Sequence, residues 1–331
     1  MKSRFFIFII VCAFALTGCG LKENENEETK TVFAMDTVMD LKAYGKNAAA
    51  ALDAAENEIK RLDNALSRGA EGSEVYNLNA SGSAQVSDET AALISEALDI
   101  SEKTGGAFDI TVAPVMDLWG FFTKNFRVPS QEELAEAIKR VGYEYVSVDN
   151  GTVTLSNGAQ IDLGGIAKGY LSGRIMDIFA SHGVTSAIVS LGGNVHAIGK
   201  KPDGTDWKVA IQNPNGGYIG TVTVSDKAVI TSGSYQRYFE QDGKIYHHII
   251  DPKTGMSADN GLKSVTIITD NSTLADGLST ALYVMGYENA ASFCQMHSGF
   301  DAVLMTDTGR VYITDGIKDI WNSELPFDVI S

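Results

Sequence analysis

Three stretches carry residue types that could do chemistry. In ADGLSTALYVMG, residues 275–286, Asp276 and Thr280 stand four apart, which places them on one helical face with Ser279 beside them. A carboxylate and hydroxyls there are hard oxygen donors suited to Mg2+, which relies on carbonyls and phosphates for the rest of its shell. A solvated polar helix edge would look the same. In IDLGGIAKGY, residues 161–170, Asp162 precedes Gly164, Gly165, Lys168 and Gly169. The glycine spacing is wrong for a dinucleotide fingerprint, and Lys168 is followed by Gly169 and not by the Ser or Thr of a P-loop. Its glycines would let backbone approach a ligand, and a helix starting after them would offer free N–H groups to an anion. Asp162 would repel phosphate unless a cation lies there, so alone the stretch reads as a strand-to-helix turn. In YHHIIDPKTG, residues 246–255, His247 and His248 point to opposite sides of a strand, and only one can face a pocket. An imidazole at a site mouth can act as a general base. Two lesser stretches add to these. TSGSY supplies a glycine turn with Ser232, Ser234 and Tyr235, and TGGAFD sets Ala107, Phe108 and Asp109 after a helix. Phe108 is able to stack on a flat ring.

The elements that must position these residues are legible in the hydrophobic period. Leu52, Ala55, Ile59, Leu62 and Leu66 give one apolar helical face. A second helix is expected from Asp88 to Thr104, capped by Asp88 and stopped by Gly105. A third starts at Ser130, with Glu133 completing a capping box. YVSVDNGTVTLSNGAQIDL alternates, with turns at Asn150-Gly151 and Asn157-Gly158, and predicts short strands. A helix should follow Gly169 as far as His182. TSAIVSLGG, WKVAIQNP, YIGTVTVSD, KAVITSG, KIYHHIID and SVTIITD read as strands. STLADGLSTALYVMG and NAASFCQMH read as two helices, and AVLMTDTGRVYIT as a closing hairpin. Strands and helices are interspersed without a βαβ rhythm. The expected class is therefore α+β, with mixed sheets and flanking helices, and not a doubly wound fold.

The formal net charge of −16 over 331 residues argues against nucleic-acid binding, which needs a basic surface. A hydrophobic fraction of 44% is enough for a sizeable core. The first residues read as a targeting signal. MKSR is followed by an apolar run too short for a comfortable span, ending in LTGC at Cys19. This resembles the bacterial lipoprotein box, which implies a signal peptide at residues 1–18 and a lipid-bearing Cys19. A polar tether at 19–30 and one catalytic unit at 31–331 would follow. The expected location is the extracytoplasmic face of the cell membrane, held by lipid. Cys19 and Cys294 alone would survive cleavage, which leaves no disulfide framework. Cys294 reads as a buried helix residue.

Taken together the motifs resemble the ApbE family, the FAD:protein FMN transferases. The carrying residues are MDT at Met35–Thr37, GAFD at Gly106–Asp109, DLGGIAKGY, TSGSY, HIIDPKTG and ADGLSTALYVMG, in the family's order along nearly the whole mature chain. The resemblance implies an ApbE-like fold, FAD as substrate and Mg2+ as cofactor. It implies transfer of FMN onto a threonine of an acceptor flavoprotein, with AMP released. It puts metal ligands at Asp276 and Thr280, with Ser279 adjacent and a backbone carbonyl at Gly165. It puts flavin-nucleotide contacts at Met35, Ala107, Phe108, Asp109, Asp162, Lys168 and Ile250, and the base at His248. Residues 67–76 should also touch the flavin, although AEGSEVYNLN departs from the family's form. Two other functions compete: a metal-dependent FAD pyrophosphatase, and a non-enzymatic flavin-binding lipoprotein.

Overall fold

The computed structural model describes residues 26–330. The apolar leader and the lipidation site expected at Cys19 lie outside the described residues. Among the described residues no helix is long and apolar enough to cross a membrane.

A nine-stranded sheet organises the molecule. Its strands are Glu27–Ala34, Thr37–Tyr44, Ala187–Leu191, Asn194–Ile198, Lys227–Gly233, Leu262–Thr269, Asp301–Thr306, Val311–Thr314 and Phe327–Ile330, lying side by side in chain order. Neighbours are antiparallel except the last two, which are parallel. Antiparallel neighbours need no crossover helix, so the long insertions are free to build the site. Side chains of the central strands alternate between two cores. Val265 and Ile267 face one core while Ile268 faces the other, and Ala302 and Leu304 alternate with Val303 and Met305. With both faces covered, such a strand reads as a continuous apolar run.

Seven helices occur among the described residues: α1 (Ala48–Leu66), α2 (Glu74–Ser81), α3 (Asp88–Lys103), α4 (Ala113–Trp119), α5 (Gln131–Ile138), α6 (Ala167–Ser181) and α7 (Ser272–Met296). Helices α1, α6 and α7 contribute to the core on one sheet face. The other face is closed by Trp207, Val209, Ile211 and Val222 from a small sheet.

The mixed α+β class holds, as do the α1 face and the Ser130–Glu133 capping box. Several boundaries differ. Ser87, not Asp88, caps α3, because its hydroxyl accepts from Thr90 N. Helix α6 starts at Ala167, so Lys168 and Gly169 are already helical. The two helices expected after Ser272 form one run interrupted at Gly286 (φ 75, ψ 170). The first strand begins at Glu27, inside the stretch expected to be tether, and Lys30 is fixed to Glu56 at 2.6 Å. The two opening strands carry charged residues at alternate positions, and α2 and α4 are too short to show a period. Cys294 is half-buried, and burial pushes its thiol up to about 12, so it is no nucleophile.

A third cluster, of Val115, Trp119, Phe121, Leu134, Ala137 and Ile250, holds the His248–Gly255 segment against α4 and α5. Trp119 is fully buried, and its Nε1–H donates to the Gly255 carbonyl at 2.7 Å. A buried carbonyl stripped of its donor is costly. Trp119→Phe should therefore lower unfolding free energy by about 1–3 kcal/mol in denaturant titration and speed hydrogen exchange across residues 251–256. An unchanged midpoint would mean that the turn is held by other contacts.

Candidate active site

The site forms where α6 meets α7. A Cβ on Gly169 would lie 2.3 Å from the Ser272 carbonyl oxygen and 2.6 Å from Asp276 Cβ, so only glycine allows this approach. At that contact Gly169 N–H donates to Asp276 Oδ2 at 2.8 Å. The Gly169 carbonyl accepts from Ser172 Oγ at 2.9 Å and Ser272 Oγ at 2.7 Å. Asp276 is 4% exposed, and its Oδ1 accepts from Asn194 Nδ2 at 3.0 Å. Each carboxylate oxygen thus has one donor within hydrogen-bond distance and a lone pair to spare.

The other oxygen donors gather along the same stretch of α7. Ser279 Oγ donates to the Asp276 carbonyl at 2.9 Å. Ser232 Oγ, from the Lys227–Gly233 strand, lies 2.8 Å from Ser279 Oγ and 3.2 Å from Thr280 Oγ1. Asp276, Ser279 and Thr280 therefore lie together, joined by Ser232.

The Asp162–Gly165 turn completes one wall. Asp162 Oδ1 accepts from Gly164 N at 2.8 Å. Lys168 Nζ lies 3.4 Å from the Gly164 carbonyl and 3.8 Å from Asp276 Oδ2. An ammonium therefore stands between the turn carbonyl and the carboxylate, where a cation is wanted. No group of three or more His, Cys, Asp or Glu able to hold a metal occurs among the described residues. The donors available are one carboxylate, hydroxyls and turn carbonyls, which fit a hard cation such as Mg2+ that takes much of its shell from ligand phosphates.

The remaining predicted residues are found in different surroundings. A Cβ on Gly165 would lie 3.1 Å from the Phe108 ring, and Phe108 is 4% exposed. Its ring is covered, so it supports the turn and does not present a stacking face, contrary to the expectation from sequence. Asp109 is buried and already accepts from Thr111 N, Thr111 Oγ1 and Tyr143 N, while burial raises its pKa. Ala107 and Asp251 line an open depression together with Thr104, Gly105, Lys253 and Asn260. Met35 sits at the two-residue tip between the first strands with φ 47, its N–H bound to Asp63 Oδ1 at 3.0 Å. Ile250 is packed in the Trp119 cluster.

The strand expected over KIYHHIID is shorter, running Lys244–His247, so His248 lies just beyond its end and the two histidines take different surroundings. His247 is buried, its Nε2 2.9 Å from the Ala258 carbonyl, and it meets Tyr283 edge-on. His248 is half-buried, its Nδ1 3.2 Å from the Arg237 carbonyl. Burial pushes its pKa down to about 3, helped by the charges of Arg237 and Lys168. Tyr235 is half-buried, and the loss of water around its hydroxyl pushes it up to about 12, so it stays a neutral phenol.

Sequence reading missed three residues. Arg68 joins Asp162 at 2.9 Å and Asp117 at 2.7 Å, with Phe122 stacked 4.0 Å from its guanidinium. Asn79 grips the Ile161 backbone twice, at 2.8 Å and 2.7 Å, just before Asp162. Asn194 is the third. Arg68 lies inside the 67–76 region expected to touch flavin and Asn79 three residues beyond it, and LSR was the only signal. Asn194 directly follows the glycine pair of SLGGNV.

Residues 35–304 match the ApbE family, and the chain belongs to it. It is 36% identical to the FAD:protein FMN transferase of Treponema pallidum, over 95% of this chain and 94% of that one. The crystal structure of the ApbE protein of Thermotoga maritima superposes with a TM-score of 0.84 at 36% identity, covering 89% of this chain and 99% of that one. The apo flavinyl transferase ApbE of Pseudomonas stutzeri gives a TM-score of 0.82 at 30% identity, covering 91% and 99%.

Two outcomes test the geometry. Gly169→Ala should force α6 from α7 and cost about 1–3 kcal/mol in chemical denaturation; a variant as stable as the parent would show slack at the crossing. Imidazole NMR should find His248 uncharged from about pH 8 to pH 5. An unfolded histidine protonates near 6.5, so acidification below that value favours the unfolded chain, progressively until pH nears 3. A His248 midpoint near its ordinary value would mean that the ring is not enclosed.

Proposed function

We propose that this protein transfers FMN from FAD onto a threonine of an acceptor protein and releases AMP. The observation that carries the reading is the junction of a buried Asp276 with the Asp162–Lys168 turn, its hydroxyl neighbours and the Lys168 ammonium. The relatives' activity supports it.

FAD's diphosphate is anionic and the chain is strongly acidic, so the site needs local positive charge. Asp276, Thr280, Ser279 and the Gly165 carbonyl would hold Mg2+, which supplies charge neutralisation for the diphosphate and the leaving AMP. Lys168 adds a mobile ammonium to the same anion. The covalent change is simple: the threonine oxygen bonds to the FMN phosphorus, and the bond from that phosphorus to the AMP oxygen breaks. The AMP oxygen leaves with the bonding pair, and the threonine proton passes to neutral His248. A pKa near 3 makes a weak base in the free protein, and an arriving diphosphate favours the imidazolium and raises it toward working pH. Positioning carries most of the acceleration, since phosphoryl transfer needs in-line alignment more than covalent help. The Leu16–Cys19 box supports a lipid-anchored, extracytoplasmic enzyme as part of the same reading.

The test is mass spectrometry of an acceptor flavoprotein incubated with FAD, Mg2+ and this protein. The expected result is an added FMN mass on threonine, lost with Asp276→Ala at any practical Mg2+ concentration. Equal transfer by that variant would remove the metal assignment. Release of FMN and AMP with no acceptor modified would make the protein a pyrophosphatase.

A further inference from the structure

Asn194 opens its strand directly after Gly192 and Gly193, both left-handed at φ 64 and 99. The turn is locked by its neighbour, because a Cβ on Gly192 would lie 2.4 Å from Thr37 Oγ1. This sets Asn194 against α7, where it is 3% exposed and donates to Asp276 Oδ1 at 3.0 Å. The amide must present its NH2 group here, since its oxygen would meet a carboxylate oxygen with no proton between them.

The second carboxylate oxygen is held from a different element, by Gly169 N–H on α6. Two donors on separate elements, one per oxygen, fix the plane of the carboxylate. With one donor the group could turn about its Cβ–Cγ bond, and a ligand that must first be ordered binds a cation less well. Lys168, at 3.8 Å, is too far to fix the plane and carries charge without direction.

We infer that Asn194 is a positioning residue for the cation site: it holds the Asp276 carboxylate in the plane that leaves one lone pair of each oxygen for the ion. Thr37 is the prop behind it, through the Gly192 turn, which gives the MDT stretch a role in the site beyond any flavin contact at Met35. The inference rests on Asp276 being a metal ligand.

The test uses Mn2+ alone, titrated into the full chain without FAD and followed by the electron paramagnetic resonance of free Mn2+. Asn194→Ala should weaken binding by roughly 10–100-fold. Asn194→Asp keeps the volume but replaces the donor by a second carboxylate, and two carboxylates at hydrogen-bond distance tend to share a proton. Its Mn2+ binding should gain a pH dependence absent from the parent, weak near about pH 6 and recovering toward about pH 9. The charged or titratable groups facing this point are Asp276 on α7, Lys168 on α6 and, two residues along the strand, His196, whose ring is turned to Ser172. Binding within twofold of the parent in the alanine variant, with no added pH dependence in the aspartate variant, overturns the inference. If the alanine variant does not fold, the aspartate variant decides alone. Parent-like binding by Asp276→Ala would instead defeat the metal reading itself, and this inference with it.

Discussion

The bond from Gly169 N–H to the Asp276 carboxylate is the contact on which the site depends. It requires two helices to approach closely enough that a single methyl group at position 169 would overlap backbone. It also turns a helix-start N–H, otherwise without an intrahelical partner, into a donor for a buried charge. The neighbours on both helices then become site residues: Lys168 on one, Ser279 and Thr280 on the other.

The great sheet supplies the platform for that crossing. It is antiparallel through most of its width, and its strands follow chain order. The insertions between strands can therefore carry function. Residues 45–186, between the second and third strands, carry helices α1 to α6 and the Asp162–Gly165 turn. The strands contribute directly as well, with Ser232 from one and Asn194 from its neighbour, both meeting α7. A second layer of contacts steadies the turn: Arg68 and Asn79 grip Asp162 and Ile161, and Phe108 lies beneath Gly165.

The electrostatics have a consistent sense. Within an acidic chain, Lys168 stands beside Asp276, Arg68 is paired with Asp162, and Arg237 lies next to His248. Enclosure keeps His248, His247 and His196 neutral; the last is pushed to about 4 by burial. A neutral imidazole can accept a proton, whereas an imidazolium cannot. The aromatic cluster about Trp119 holds the His248–Gly255 segment in place from behind.

Much of this was legible in the residues. Period-two and period-3.6 patterns located α1, the central strands and α7, because burial on a regular element leaves a regular trace. The pairing of Asp276 with Thr280 on one helical face followed from spacing alone. The opening hairpin and α2 were hidden, since short or charge-studded elements leave no such trace. What the sequence by itself determined was the chemistry of each local stretch: which residues could bind, which could bend, and which face of a helix they shared. Only tertiary structure decided that Asn194 meets Asp276 and Arg68 meets Asp162, that the Phe108 ring is covered beside Gly165, and that Lys168 reaches both a turn carbonyl and a carboxylate. Apart from the reach of Lys168 to its own turn, those facts depend on contacts between residues far apart in the chain, such as Asn194 with Asp276 at 82 positions and Lys168 with Asp276 at 108, and no local pattern encodes which distant side chain packing will bring close.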